Sequence, residues 1–439
     1  MTVRKGICAA LALLLFLLTA LPSLGEDATS DSPKNTAPEP LGVFAAAVCN
    51  LENEQIVYAY EPDLRLPPAS FAKMMTALCA YELLDGRMDD TLTVEYSMIK
   101  DAVGNQVGYL VGETVSVRDM FGGLLVRGAN DSALLLGVCA CGDTDTFLRK
   151  MNEKAAALGM KDTHFVNLTG MDADGGTITA ADAILLAKAF AEIDELTALS
   201  SAVKYEMPKN EKAGARTLYN RNGLVSKIVE KGYFDHRVTG LNSGSTASSG
   251  YYAASACGSE RLHYLIVVLG GQEINGRNRA ADFTSELCTY ALTAFDYFDV
   301  VKTGRIVCEI PVRLSSDADY VTAAPAETLT VYLPTGLNLS EDLTYTCSLF
   351  EEELTAPVAE GQTVGKYEVF RDGVLLGEVP LVTTNAVGGS AFLTALDRIE
   401  KFTTGALFLV LLGACAAVVI LYFTLKAVFG RQSGRYRRR

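Results

Sequence analysis

Residues 64–84 read LRLPPASFAKMMTALCAYELL. Pro67 and Pro68 favour an extended lead, and from Ser70 apolar residues recur at helical spacing as far as Leu84. This predicts a helix that opens at Ser70 and carries Lys73 one turn later on the same face. A lysine held there can take the serine proton once burial lowers its pKa, and N–H groups at the helix start can stabilise an oxyanion. Ser-x-x-Lys also occurs at Ser97–Lys100 and Ser201–Lys204. What singles out Ser70 is context: the Pro-Pro-Ala lead, a preceding hairpin pattern and the apolar helix behind it. The plainer alternative is a helix-capping serine and a surface lysine.

Working outward, residues 43–60 carry two β-like runs around a polar turn, a hairpin pattern. Helical periodicity follows over 117–139, 146–158 and 179–190, and strand-like runs return at 251–256 and 262–269. Strands, then helices, then strands within one stretch predict a mixed α/β domain over residues 41–296. From 300 to 385 short alternating runs separated by Gly, Pro and Asp predict a small all-β sandwich. Residues 386–404 read as a linker. Residues 405–425 contain no charge, enough at about 1.5 Å per residue to span roughly 30 Å, so 405–427 is expected to cross a membrane. The tail 428–439 is basic and is expected on the cytoplasmic side. At the other end, a basic start and an apolar run mark residues 1–25 as a signal peptide with cleavage near Gly25, or else as an uncleaved anchor. Residues 26–40 form a flexible lead.

The formal net charge of −14 is unevenly spread. All 52 acids lie between residues 26 and 400, with 29 of the 38 bases, so the exported body carries −23. That balance excludes nucleic acid as a partner. Three histidines, His164, His236 and His263, are too far apart for an HExxH zinc site and leave little material for a Ser-His-Asp hydrolase. Neither metal nor cofactor is expected. Cys49, Cys79, Cys139 and Cys257 sit in apolar runs and read as core residues, while Cys308 and Cys347 lie where they could pair.

The segment at 64–84 resembles the active-site segment of serine D-alanyl-D-alanine carboxypeptidases, the low-molecular-weight penicillin-binding proteins (peptidase S11-like). GETVSVRDMFGGLLVRGANDSALLLG (112–137) resembles the next block of that family. MNEKAAALGMKDTHFVNLTGMD (151–172) and TITAADAILLA (177–187) resemble the one after it. LTAPVAEGQTVGKYEVFRDGVLLGEVPLV (354–382) resembles the end of the family's C-terminal β-domain. The resemblance implies a β-lactamase/transpeptidase-like domain, an antiparallel sheet flanked by helices, followed by the sandwich. It also implies removal of the terminal D-alanine from peptidoglycan stem peptides by a membrane-anchored extracytoplasmic enzyme, with β-lactams as covalent inhibitors.

Three motifs serve such enzymes: Ser-x-x-Lys, Ser-x-Asn and Lys-Thr-Gly on a strand. The resemblance makes Ser70 the nucleophile and Lys73 the general base. It puts the second motif at Gly128-Ala129-Asn130, without its serine, and the third at Val238-Thr239-Gly240, without its lysine. Asn130 then orients substrate, and Thr239 and Gly240 persist on a strand whose edge would offer backbone hydrogen bonds to an extended peptide. His236, on the face of Val238, and Arg277, at a position resembling a family arginine, are candidates for the missing groups. Arg237 would serve only if a bulge re-aimed it. Asn167 and Gly170 suggest a turn, and residues 242–250 a hairpin turn after the third motif. A catalytically silent homologue that binds wall peptides or a protein partner is the alternative; a β-lactamase is disfavoured because the sandwich and anchor have no role in that chemistry.

Overall fold

A computed structural model describes residues 36–433. The expected signal segment 1–25, residues 26–35 of the expected lead and residues 434–439 of the expected tail lie outside the described residues. The chain divides between Ala294 and Phe295 into two compact units.

The first unit is built on a five-stranded antiparallel sheet in the order Ile56–Tyr60, Ala45–Asn50, His263–Gly271, Gly250–Gly258, Val238–Thr246. Chain segments more than 200 residues apart therefore meet in it: Ala47 pairs with Val267. Small residues fit the inner strand Ala45–Asn50, which is buried at every position. One face carries Ala47, Val267 and Ala254 into a large core shared with the helices Phe71–Leu84, Thr144–Ala157 and Ala180–Ala191. The other face is covered by the helix Arg279–Ala294, whose Phe283, Leu287 and Cys288 are fully buried. Ten of the fourteen residues of Phe71–Leu84 are buried, which explains its nearly all-apolar sequence.

The single helix expected over 117–139 is broken. A helix Val117–Gly122 passes into a five-residue π-turn, Gly123–Arg127, and stops at Gly128, whose φ of 71° is left-handed. Ala129 is extended, and a second helix, Asn130–Cys141, begins at once. The apolar periodicity runs through this break, because both pieces face the same core.

In the second unit a six-stranded sheet includes Thr363–Arg371 paired with Val374–Thr383, and a two-stranded sheet joins Phe295–Val301 to Leu329–Pro334. Val369 and Val379 of the larger sheet pack with Val301 and Leu333 of the smaller, the sheet-on-sheet core of a sandwich. Cys308 and Cys347 are free thiols here. Part of the expected linker is a helix, Ala391–Thr404, capped by the Ser390 hydroxyl. It exposes Phe392, Leu396, Ile399 and Phe402 on one side and holds Asp397 against Arg313 at 3.2 Å. The helix Ala406–Ser433 follows, and its stretch Ala406–Ala427 is long and apolar enough to cross a membrane.

Candidate active site

Ser70 sits just before the helix Phe71–Leu84, after Ala69 in a left-handed conformation (φ 44°). Its side chain makes no capping hydrogen bond, so the hydroxyl is not used to close the helix end. Instead Oγ accepts a hydrogen bond from Asn242 Nδ2 at 2.9 Å. Ser70 is 5% exposed and opens onto a cleft of about 520 Å³.

Lys73, one turn along, lines the same cleft, and its Nζ donates to the carbonyl of Thr169 at 2.5 Å. Burial disfavours the ammonium form and lowers its pKa from 10.5 to about 8. The Thr169 carbonyl is fixed by a turn in which Asn167 Oδ1 accepts from the N–H groups of Thr169 (3.1 Å) and Gly170 (2.6 Å). Gly170 is itself left-handed, and a Cβ there would lie 1.7 Å from the carbonyl oxygen of Ala69. The turn carrying the lysine's acceptor is thus pressed against the residue before Ser70. Gly170→Ala is expected to cost at least about 2 kcal/mol and to displace both groups. Thermal denaturation and acylation by a labelled penicillin check this; an unchanged Tm and rate would show that the loop yields freely.

Asn130 opens its helix at 2% exposure, with Nδ2 donating to Val103 O at 2.5 Å and Oδ1 buried without a partner. Gly128 also lines the cleft and contributes no side chain. Ser70, Lys73, Gly128 and Asn130 are therefore brought together around one cavity.

The strand Val238–Thr246 is arranged differently from expectation. Val238 pairs with Cys257 and Gly240 with Ser255, but Asn242 pairs with Ala254, so Leu241 is an extra residue. This β-bulge reverses the alternation. Val238 and Gly240 share the face of Cys257, which hydrogen-bonds Cys288 on the helix Arg279–Ala294. Asn242 and Gly244 share the opposite face, against Ser70; a Cβ on Gly244 would lie 2.7 Å from the serine Cβ. The third-motif position is therefore corrected from Val238-Thr239-Gly240 to Asn242-Ser243-Gly244, which line the cleft. Residues 242–246 are strand rather than turn, and the turn is confined to 247–249.

The companions of the earlier placement fall away with it. Thr239 is exposed and pairs with Ala256, while the Gly240 carbonyl accepts from Ser200 Oγ at 2.8 Å. His236 is exposed on the preceding loop. Arg237 donates to Asp235 and to Thr289 of the covering helix. Arg277 is ion-paired with Asp282 and stacked on Tyr233 at 4.8 Å. None of these lines the cleft. The residues missed were Asn242, Ser243, Gly244 and Thr169; the run of small polar residues at 242–246 was the available signal, since an edge strand at a cleft needs side chains that let a ligand's backbone approach.

The family signature described as D-alanyl-D-alanine carboxypeptidase matches residues 34–273, and that described as penicillin-binding protein 5, C-terminal domain, matches 295–388. The D-alanyl-D-alanine carboxypeptidase DacF of Bacillus subtilis is 24% identical over 399 residues, covering 90% of this chain and 97% of the relative. DacA of Escherichia coli, of the same description, is 28% identical over 349 residues, covering 77% and 82%. Among solved structures, penicillin-binding protein 6B of Escherichia coli superposes with a TM-score of 0.59 at 23% identity, covering 80% of this chain and 98% of that one.

Proposed function

Because the chain belongs to the D-alanyl-D-alanine carboxypeptidase family of serine peptidases, we propose that it removes the terminal D-alanine of peptidoglycan stem peptides through an acyl-enzyme on Ser70. The observation that carries this reading is a serine free of capping duty beside a half-buried lysine of lowered pKa, in one cleft.

In the proposed cycle neutral Lys73 Nζ takes the Ser70 proton as Oγ attacks the penultimate D-alanine carbonyl. The Asn242 amide, already donating to Oγ, stabilises charge developing there. The lysine then returns the proton to the departing amine as the C–N bond breaks, leaving an ester on Ser70. A water repeats the sequence: its proton passes to Lys73, its oxygen to the acyl carbon, and the proton returns to Ser70 Oγ. Asn130 lines the same cleft, with a buried Oδ1 that no described residue engages. Neither Gly128 nor the Asn242 amide can shuttle a proton near neutral pH, so the proposed cycle uses Lys73 as its carrier. The apolar stretch Ala406–Ala427 supports a membrane anchor, and the exposed apolar side of Ala391–Thr404 suits the interface beside it. The body would then face a wall substrate outside the membrane, with the basic tail inside.

Gly128 and Asn242 also favour a second reading, a silent homologue that binds wall peptides or a protein partner without turnover. Labelled penicillin with the detergent-solubilised full-length protein separates the two. A covalent adduct by intact mass, absent in Ser70→Ala, is the expected result; no adduct and no D-alanine release from a pentapeptide would sink the enzymatic reading.

A further inference from the structure

Three cationic residues line the cleft: Lys73, Arg127 and Arg221. Lys73 is engaged by the Thr169 carbonyl and titrates near pH 8, so it offers no fixed charge. Arg221 is exposed, and it lies near Glu230 of the cleft wall, whose carboxyl burial pushes up and Arg221 draws partly back. Among the described residues neither arginine's guanidinium has a hydrogen bond, ion pair or aromatic partner, but Arg127, unlike the exposed Arg221, is partly buried. Its backbone is nonetheless fixed. It closes the π-turn Gly123–Arg127, and its carbonyl accepts from Asn105 Nδ2, while the Asn105 carbonyl accepts from Asn130 N at 2.7 Å. Single π-turns interrupting helices are uncommon and re-aim the side chains at their end.

A partly buried cation without a counter-charge loses hydration and gains nothing in return until an anion arrives. Arginine's planar fork matches a carboxylate with two parallel hydrogen bonds. Resting on the carboxypeptidase reading above, we infer that Arg127 receives the free carboxylate of the departing D-alanine, replacing the charge that Asn242 lacks. It is a specificity-determining residue, and it lies on the wall that carries Gly128 and Asn130, not on the strand.

The test compares two peptides with the full-length protein: diacetyl-L-lysyl-D-alanyl-D-alanine, and the same peptide ending in a C-terminal amide. The wild type is expected to favour the acid in kcat/KM, and Arg127→Gln to reduce that acid-to-amide ratio by about 10- to 100-fold. Turnover of the amide reports that the variant is folded. If Arg127→Gln hydrolyses neither peptide, Arg127→Lys decides in its place, with the ratio expected to fall about threefold because an ammonium cannot bond in two-point fashion. An unchanged ratio, or a collapse in Arg221→Gln instead, overturns the assignment while leaving the carboxypeptidase reading intact. Wild-type protein that hydrolyses neither peptide overturns that reading, and this inference with it.

Discussion

Lys73→Met should lower the rate of Ser70 acylation by roughly 10³-fold or more while making the fold more stable. Loss of one acid–base participant typically costs about 10²- to 10⁴-fold. The upper part of that range is expected here because neither Gly128 nor Asn242 can take over proton transfer. Stability moves the other way. The folded pKa of about 8 lies below the unfolded 10.5, so between those values the unfolded chain binds more protons and stability rises with pH. Below about pH 8 the cost of burying the ammonium is present in full, on the order of 3 kcal/mol for a shift of this size. Methionine fills similar space without that charge, so the variant's Tm at pH 7 should exceed that of the parent. The same titration sets the pH dependence of the parent: acylation should rise with pH and level off above a midpoint near 8, as the amine becomes neutral. Stopped-flow acylation and calorimetry across pH 6–10 check both parts. A flat profile, or a Met variant that acylates normally, would assign the base to another group.

The second large effect is a gain. Gly128→Ser together with Asn242→Lys should raise acylation near neutral pH by about 10²-fold, by restoring a hydroxyl and an amine able to relay protons. Each alone should give less than half of the logarithmic gain, because contacting groups are coupled. Two opposing effects are visible in advance. Gly128 is left-handed, so serine there costs about 1 kcal/mol in backbone strain, although a Cβ would have room, 3.5 Å from Asn105 Nδ2. A second cation beside Ser70 would also push the Lys73 pKa further down, moving the midpoint of the pH profile below 8. No gain in rate, with an unmoved midpoint, would mean that the native site already has a proton carrier other than Lys73.

The large elements were legible because they depend on composition over many residues. The helix behind Ser70 is apolar all round, and the sandwich announces itself by short alternating runs with turn residues. The helical break at Gly128 was not, because apolar periodicity continues on both sides of it; only the backbone shows that Arg127 and Asn130 belong to different segments. Ser70, Lys73 and Asn130 could be placed because each stands at a helix start, where one residue fixes the geometry of the next turn. The third segment failed for a local reason. Val238-Thr239-Gly240 imitates the lettering of a Lys-Thr-Gly motif, whereas Asn242-Ser243-Gly244 shares only its glycine. Which of the two meets the serine depends on a bulge that no spacing in the sequence reveals.

That bulge acts on the strand as a frameshift acts on a message. Before Leu241 the even-numbered Val238 and Gly240 share the face of Cys257, with Gly240 against Val225 and Asn222; after it the even-numbered Asn242 and Gly244 face Ser70. One inserted residue lets a single edge strand serve two masters, fold upstream and chemistry downstream, with Leu241 itself packed into the core as the pivot. Evolution could therefore rewrite the letters at 242–244 without touching those that seat the first half of the strand. A site so divided can lose a charged residue from its catalytic half and keep its shape.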